Sequence, residues 1–237
     1  MANFGFTSLA VVAPYEEHWR EAKSAVGASD LLQNARCTPC LAESVADCTL
    51  VIGTGTRAHR KPEQPVIPLP ELTPFAGAEL TRGGRVALVF GPEKRGLTRE
   101  DLALCNVLVE IPTDPRQPSM NLGQAVAVCL YELAARRNPP QKPARTEPQP
   151  SRSGTDHAAP TSTSDPASAR DLELLAGVVA ETMQAANYSP AAMQKANRHD
   201  LDLLLRRLQL ERRDARRILG LFRRILWRLK HRIGLKD

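Results

Sequence analysis

Short apolar runs alternate with amphipathic stretches along the first 137 residues of the chain. The runs are rich in Val, Leu and Ile, are bounded by Gly or Pro, and predict buried strands at residues 8–14, 49–55, 85–91 and 107–112. The stretches between them predict helices at residues 16–26, 40–47, 71–80 and 98–105, and a longer amphipathic helix begins at Asn121. Strands that alternate with helices are typical of an α/β fold, with a parallel sheet between two layers of helices.

Two further regions differ from this pattern. Residues 138–167 are rich in Pro, Ser and Thr and lack hydrophobic anchors, which predicts a disordered linker. Residues 168–237 predict a small all-α domain of three amphipathic helices. The second of these helices is expected to have Ser189 as its N-cap and Pro190 in its first turn. The predicted organisation is therefore an α/β domain at 1–137, the linker, and the helical domain.

Basic residues are concentrated near the end of the chain. The formal net charge is +6, but the segment from Lys195 to Lys236 holds 14 basic and 4 acidic residues, so it carries +10 and the rest of the chain −4. Because arginine binds phosphates through two donors at once, this pattern favours a nucleic-acid partner over an acidic membrane surface, a protein contact or a role in solubility. The arginines predicted to bind RNA are Arg206, Arg207, Arg212, Arg213, Arg216, Arg217, Arg223 and Arg224.

Composition excludes several classes of protein. The five cysteines are an odd number, which argues against a disulfide framework, and no apolar run approaches the roughly 18 residues that span a bilayer. The N-terminus lacks the features of a signal peptide, so we expect a cytoplasmic protein without a membrane partner. The "CTPC" stretch at 37–40 has no second ligand pair for zinc, so no metal is expected; a redox pair is the alternative to ordinary thiols.

Three polar or glycine-rich loops follow predicted strands: "GTGTR" at 53–57, "GPEKRG" at 91–96 and "PTDPRQPSMNLG" at 112–123. Open parallel sheets bind ligands at the carboxyl ends of their strands, so these loops predict a binding site. The first loop lacks the third glycine of a dinucleotide fingerprint, and no Walker loop is present. The common phosphate-binding loops are therefore not predicted.

The two motifs after the third and fourth predicted strands resemble those of a known family. "ALVFGPEKRGLTREDLALCN" and "VEIPTDPRQPSMNLGQAVAVCLYEL" resemble the second and third signature motifs of the SpoU/TrmH-type RNA 2′-O-ribose methyltransferases, in the SPOUT superfamily. The preceding "SDLLQNARCTPCLAESVADCTLVIGTGTR" and the arginine-rich tail are similar to the TrmJ-type subfamily, whose members modify the tRNA anticodon loop. The resemblance covers nearly all of residues 1–137.

The resemblance implies a C-terminal trefoil knot in the α/β domain, a homodimer formed through it, S-adenosylmethionine as cofactor and tRNA as partner. It implies methyl transfer to the ribose 2′-hydroxyl of a cytidine or uridine, at nucleotide 32 of the anticodon loop. The positions that match cofactor contacts are Thr54, Gly55, Thr56, Gly91, Ile111, Pro118, Ser119, Met120 and Asn121. The positions that match catalytic residues are Glu93, Ser119 and Asn121.

Several of these residues have a purely structural alternative. Gly91 and Gly96 are compatible with plain turn residues, Glu93 with a solvated loop acid, and Asn121 with a helix cap. For Thr98, "TRED" predicts a capping box in which its side chain accepts from the amide three residues on.

The sequence departs from the family pattern at its first motif. In relatives, an Asn-Gly turn and a catalytic Arg precede a stretch that resembles "MANFGF", so the resemblance implies that they and the first core strand lie upstream of Met1. We expect the true start to lie upstream, and a natural remnant that binds RNA or dimerises without catalysis is the alternative. Met120 and Gly123 also stand where Leu and Val are more usual. A ribosomal RNA 2′-O-methyltransferase shares both later motifs, and an NAD(P)-binding α/β protein is a weaker rival.

Overall fold

Six short strands form two parallel sheets in the part of the chain that the structure describes. The computed structural model describes residues 1–15, 18–22, 25–55, 62–137 and 165–233. The strands are β1 (Ala10–Val12), β2 (Arg36–Thr38), β3 (Leu50–Thr54), β4 (Val66–Pro68), β5 (Val86–Val89) and β6 (Val107–Glu110). The central sheet has the order β4-β6-β3-β5, and β1 pairs with β2 in a separate two-stranded sheet. The predicted α/β fold with a parallel sheet is thus confirmed.

The helices described alongside these strands are α1 (Ser29–Gln33), α2 (Leu41–Ser44), α3 (Leu72–Thr81), α4 (Arg99–Ala103) and α5 (Leu122–Arg137). The capping box that "TRED" predicts is confirmed, because Thr98 Oγ1 accepts from Asp101 N at 3.1 Å and Thr98 N donates to Asp101 Oδ2 at 3.0 Å. Short 3₁₀ turns lie at Ala2–Phe4, Trp19–Glu21 and Leu69–Glu71.

The central sheet is covered on both faces, as its apolar strands predict. Alternate residues of a strand point to opposite faces. One face packs against α3 and α5 through a cluster that includes Leu50, Ile52, Leu72, Ala76, Val107, Val109 and Cys129. The other face packs against α2 and the segment around α4 through Leu41, Val45, Val51, Val89, Leu97, Cys105 and Leu108. The core therefore holds the carboxyl ends of β3, β5 and β6 in fixed relative positions.

Two predictions at the N-terminal end are wrong. The first predicted strand is not buried: Val12 stays 36% exposed, and β1 pairs with β2 alone within the described ranges. Two three-residue strands are too small to bury both of their faces. The helix predicted at 16–26 is a single 3₁₀ turn at Trp19–Glu21, because Ala22 leaves the helical region with ψ of 108°. Residues 16–17 and 23–24 lie outside the described ranges.

Strand β4 was not predicted, because it lies in the proline-rich stretch "PEQPVIPLP". It occupies an edge of the central sheet and pairs only with β6 among the described strands. An edge strand tolerates proline because one side of its backbone needs no partner in the sheet. The apolar pattern of the sequence also does not predict the short strand β2 or helix α1.

The C-terminal part contains α6 (Ala169–Ala185), α7 (Gln194–Arg207) and α8 (Arg212–Ile233), in the places where three helices were predicted. They share an apolar cluster of their own, built around Leu172, Leu175, Val179, Leu205 and Ala215. Ser189 is not the N-cap of α7: its Oγ accepts from Asn197 Nδ2 at 2.8 Å, and a 3₁₀ turn at Ala191–Met193 precedes the helix. No helix within the described ranges is long and apolar enough to cross a membrane.

Most of the predicted linker, 138–164, lies outside the described residues. Its last three residues, 165–167, are described and contact the C-terminal helices. Ala167 is buried, its amide donates to Leu210 O at 2.9 Å, and Arg212 N donates to Asp165 O at 2.7 Å. These backbone bonds and the bridge between Pro166 and Glu211 join residues 165–167 to the C-terminal helices. The division of the chain into domains stays a prediction.

The first turn of α6 docks on the α/β part. A helix N-terminus leaves backbone amides without intrahelical partners. Here Ala169 N donates to Cys48 O at 2.8 Å, and Arg170 N donates to Ala46 O at 2.9 Å. Ala169 also joins the apolar cluster of Leu41 and Val45. Backbone hydrogen bonds and apolar contact therefore fasten the C-terminal helices to the sheet-bearing part.

Candidate active site

The carboxyl ends of three adjacent strands meet at one edge of the central sheet, with β3 between β5 and β6. The end of β3 is tied to both neighbours. Thr54 Oγ1 donates to Val89 O at 3.1 Å on the β5 side, and Gly55 N donates to Val109 O at 3.2 Å on the β6 side. The three predicted loops therefore start from one place, although Thr56 lies outside the described residues.

The loop after β5 is a tight turn closed on itself. Gly96 N donates to Pro92 O at 2.7 Å, and Gly96 has φ of +64°, which glycine adopts without steric cost. A Cβ built at Gly91 would lie 2.7 Å from Gly96 O and would also overlap Gly96 C and Leu97 N. Gly91 is therefore required by the loop's own backbone packing. The sequence-based reason, close approach to a cofactor, is not needed to explain this glycine.

Glu93 in this turn joins the start of α5. Its Oε1 accepts from Asn121 Nδ2 at 2.7 Å and from Leu122 N at 3.2 Å. A carboxylate at a helix N-terminus is favoured because the first backbone amides and the helix dipole both present positive charge there. Two of the predicted catalytic residues, Glu93 and Asn121, are thus in direct contact although they are 28 positions apart.

Asn121 also caps α5. Its Oδ1 accepts from Gly123 N at 2.9 Å and from Gln124 N at 3.3 Å, which satisfies two amides of the first turn. The capping alternative raised by the sequence is therefore correct in this structure. The two ends of the Asn121 side-chain amide thus have different partners. The oxygen accepts hydrogen bonds from backbone amides of α5, and the nitrogen donates to Glu93. Both side chains remain exposed at the mouth of the three loops.

The loop after β6 carries the remaining predicted contacts. Ile111 packs against the cluster of α3 and α5, and Thr113 Oγ1 donates to Pro118 O at 3.3 Å. Ser119 is exposed, while Pro118 and Met120 are partly buried. Further out, side-chain and backbone hydrogen bonds from Arg116 lower the pKa of Asp114. The hydrogen bond from Thr113 to Pro118 thus closes the loop, and Ser119 lies exposed close to Asn121, the cap of α5.

The arginines predicted to bind RNA separate into three groups. Arg206 is buried, donates from Nε to Ala103 O at 2.9 Å, and has a pKa lowered by that burial. It belongs to the contact between α7 and α4 instead of an RNA-binding face, because a buried guanidinium cannot reach a phosphate. Three others form ion pairs with carboxylates: Arg212, Arg213 and Arg217. The remainder are exposed and have no carboxylate partner among the described residues: Arg207, Arg216, Arg223 and Arg224.

A polar cluster at the contact between the two parts was not predicted. Arg99 Nη2 donates to Glu63 Oε1 at 3.1 Å, and His199 Nε2 lies 3.3 Å from the same oxygen. Although desolvation opposes the shift, hydrogen bonds from His199 and Arg99 lower the pKa of Glu63. These residues are up to 136 positions apart, so no local sequence signal could have brought them together.

The cysteines are all free thiols. Cys37 and Cys40 are exposed, one on β2 and one at the N-cap of α2. The other three are buried, and burial raises the pKa of Cys105 to about 12 and that of Cys48 and Cys129 to about 11. In the described part of the chain, no group of three or more His, Cys, Asp or Glu side chains is arranged to hold a metal ion.

Known proteins resemble both the sequence and the fold. A tRNA (cytidine/uridine/adenosine-2′-O-)-methyltransferase, TrmJ of Pseudomonas aeruginosa, is 40% identical over 134 residues, which are 56% of this chain and 52% of that protein. The uncharacterized tRNA/rRNA methyltransferase LasT of Escherichia coli is 37% identical over 151 residues, 63% of this chain and 65% of that protein. The crystal structure of TrmJ from Z. mobilis superposes with a TM-score of 0.74 at 27% identity, covering 95% of this chain and 89% of that one.

The chain spans about half the length of the Pseudomonas relative that it matches. The SpoU rRNA methylase family matches residues 1–131, which is more than half of this chain. That range contains the three loops at the sheet edge and the contact between Glu93 and Asn121. The resemblance of the two sequence motifs is thereby confirmed, and the chain belongs to the SpoU methylase family.

Proposed function

We propose that this protein is a tRNA 2′-O-methyltransferase that uses S-adenosylmethionine and methylates the ribose of a cytidine or uridine at nucleotide 32 of the anticodon loop. The observation that carries the proposal is the bond from Asn121 to Glu93, which joins two of the three loops at one sheet edge. The relatives support the reaction and the tRNA substrate, since several are named tRNA (cytidine/uridine-2′-O-)-methyltransferases at 36–38% identity.

The residues at this edge of the sheet carry chemical groups that are suited to bind the cofactor. S-adenosylmethionine, when bound, supplies an electrophilic methyl group on a positively charged sulfur. The sheet edge offers backbone groups of Gly55 and the Ser119 hydroxyl, with the Glu93 carboxylate beside them. The residues proposed to hold the cofactor are Thr54, Gly55, Thr56, Ile111, Pro118, Ser119 and Met120. Gly91 acts indirectly, by allowing the turn that presents Glu93.

Glu93 is proposed to orient the ribose. Its Oε1 accepts two hydrogen bonds at the start of α5, whereas no described residue donates to its Oε2. That oxygen is free to accept a hydrogen bond from the ribose 2′-hydroxyl. Methylation of that hydroxyl would require it to lose its proton, and Glu93 Oε2 would be the acceptor. A positioned acceptor contributes typically about 10²–10⁴-fold to such a step.

The tRNA is proposed to contact the exposed arginines of α7 and α8, which face away from the apolar cluster of the C-terminal helices. Arginine recognises phosphate oxygens through two parallel hydrogen bonds. A trefoil knot at the sheet edge and a homodimer formed through it stay predictions from the family resemblance. The cytoplasm is the proposed location, because a tRNA substrate is found there.

Transfer of labelled methyl from S-adenosylmethionine to an unmodified tRNA transcript tests the proposal. We expect product with the all-ribose transcript and none when nucleotide 32 carries a 2′-deoxyribose. Product that survives the 2′-deoxy change would contradict the assigned nucleotide or the ribose as acceptor. Product with a ribosomal RNA fragment alone would support the ribosomal alternative. Binding of cofactor and tRNA without product would support the non-catalytic alternative.

A further inference from the structure

An aromatic pair lies on the basic face of α8, towards its C-terminal end. Trp227 is 57% exposed, and its ring stacks on His231 with centroids 4.2 Å apart and planes inclined by 31°. We propose that Trp227 and His231 form a stacking platform for an unpaired base of the bound RNA. This inference rests on the proposed function, since it identifies how the C-terminal helices grip a single-stranded segment of tRNA.

The register of α8 explains why Trp227 faces solvent. The apolar side of the helix packs in the cluster of the C-terminal helices through Ala215, Ile218, Leu219 and Phe222, and the buried Leu226 directly precedes Trp227. One residue along a helix turns the side chain by about 100°. Trp227 is therefore turned out of the core. His231 follows one turn later, and its Nδ1 lies 2.8 Å from Trp227 O, which fixes the imidazole beside the indole.

Charged side chains surround the platform. Arg223 and Arg224 lie four and three residues before Trp227, so they share its face of the helix, and Arg228 follows it. All three are exposed, and none has a carboxylate partner among the described residues. By contrast, Arg213 and Arg217 at the start of α8 are paired with Glu211 and Asp214. The unpaired cations are thus concentrated around the exposed ring.

This arrangement favours RNA over an acidic membrane. An amphipathic helix that lies on a membrane inserts its apolar face among the lipids. In α8, Ala215, Ile218, Leu219 and Phe222 already pack in the apolar cluster of the C-terminal helices, and the outward side is mostly basic. Proteins that bind single-stranded nucleic acid instead commonly combine aromatic and basic side chains. The aromatic rings stack on the bases, and the basic groups bind the phosphates.

The test uses the full chain and short adenine-rich RNA oligonucleotides, in parallel with the same backbone carrying abasic sites. Trp227→Leu keeps an apolar side chain but removes the ring, and Trp227→Phe restores a ring. Leu221→Ala is the matched control, because Leu221 is also exposed on α8 and offers no ring. Base stacking on an aromatic side chain corresponds to roughly 5- to 150-fold in affinity.

We expect Trp227→Leu to lose about that factor on the adenine oligonucleotide, and Trp227→Phe and Leu221→Ala to retain most of the affinity. On the abasic backbone, the parent protein and Trp227→Leu should bind alike. The chain has two tryptophans, so in a Trp19→Phe background the emission comes from Trp227 alone, and it should be quenched by the adenine oligonucleotide.

Unchanged affinity of Trp227→Leu, with binding lost on substituting Arg223, Arg224 and Arg228, would overturn the platform and leave the proposed function standing. A response of Trp227 emission to phosphatidylserine vesicles and none to RNA would overturn it in favour of a membrane surface. Failure of methyl transfer would count against the proposed function, whereas the oligonucleotide measurement tests the platform by itself.

Discussion

Arg206 of α7 donates from its Nε to the backbone carbonyl of Ala103, at the end of α4, over 2.9 Å. The two residues are 103 positions apart, and the guanidinium is almost fully buried between the α/β part and the C-terminal helices. Next to it, the equally basic Arg207 is exposed. One of two adjacent arginines therefore stabilises the contact between the two parts, while the other stays available to a partner.

Arg206→Ala should lower the free energy of unfolding by about 1–3 kcal/mol, because the Ala103 carbonyl would be left buried without its donor. Arg207→Ala is the matched control and should change stability by less than about 0.5 kcal/mol. Urea unfolding monitored by circular dichroism measures both. Equal stability of the two variants would contradict the role assigned to Arg206.

Gly91→Ala should disrupt the loop after β5, because its Cβ would overlap the backbone of Gly96 and Leu97. We expect a loss of roughly 1–3 kcal/mol in unfolding free energy, together with weaker cofactor binding. Gly77→Ala is the control: it lies in α3 with open space around a Cβ, and alanine should stabilise that helix by up to about 1 kcal/mol. Thermal unfolding of both variants tests the difference, and a harmless Gly91→Ala would refute the packing argument.

Glu93→Ala should reduce methyl transfer by about 100-fold or more, since it removes both the proposed hydroxyl acceptor and the link to Asn121. Glu93→Gln keeps an oxygen for Asn121 and Leu122, so it should preserve folding while still lowering kcat. Lys94→Ala, in the same turn, serves as control. If Glu93→Gln were fully active, the carboxylate would not be needed for the reaction.

Replacing Arg216, Arg223 and Arg224 together with alanine should weaken tRNA binding and flatten its dependence on salt. Each lost phosphate contact lowers the slope of log affinity against log salt concentration by about 0.7–0.9. Replacing Arg198, which is paired with Glu173 and Asp202, should leave that slope unchanged. Filter binding over a range of salt concentrations compares the variants, and an unchanged slope in the triple variant would place the RNA elsewhere.

Glu63→Gln should destabilise the contact between the two parts in a pH-dependent way. Because the pKa of Glu63 is lowered in the folded protein, its carboxylate stabilises the fold above its ordinary pKa, and this contribution disappears as the pH falls through the folded value. At neutral pH we expect a loss of about 0.2–1 kcal/mol, since the cluster is partly exposed. Glu100→Gln, on exposed α4, is the control. If Glu63→Gln were still less stable than the parent protein at low pH, the ionised carboxylate would not be the cause of the loss.

Much of the central sheet was predictable, because the signals are local. Strands β3, β5 and β6 are short apolar runs that end in glycine or proline, and such runs predict buried strands wherever they occur. The capping box of α4 and the positions of α5, α6 and α8 likewise depend on residues only a few positions apart. The sequence by itself also determined the family, since its two motifs lie in the loops that follow β5 and β6.

Tertiary structure decided what depends on distant partners. Helical periodicity predicts that Arg206 and Arg207 point in different directions, but only the docking of α7 on α4 determines which one is buried. The spacing of Glu93 and Asn121 does not reveal their contact, because it forms only when β5 and β6 flank β3. The sequence predicts a turn at Gly91. Only the folded loop shows that backbone atoms of Gly96 and Leu97 leave no room for a side chain there. Residues close together in the sequence thus determine the strands and helices. Packing between distant segments determines which side chains are buried and which partners they contact.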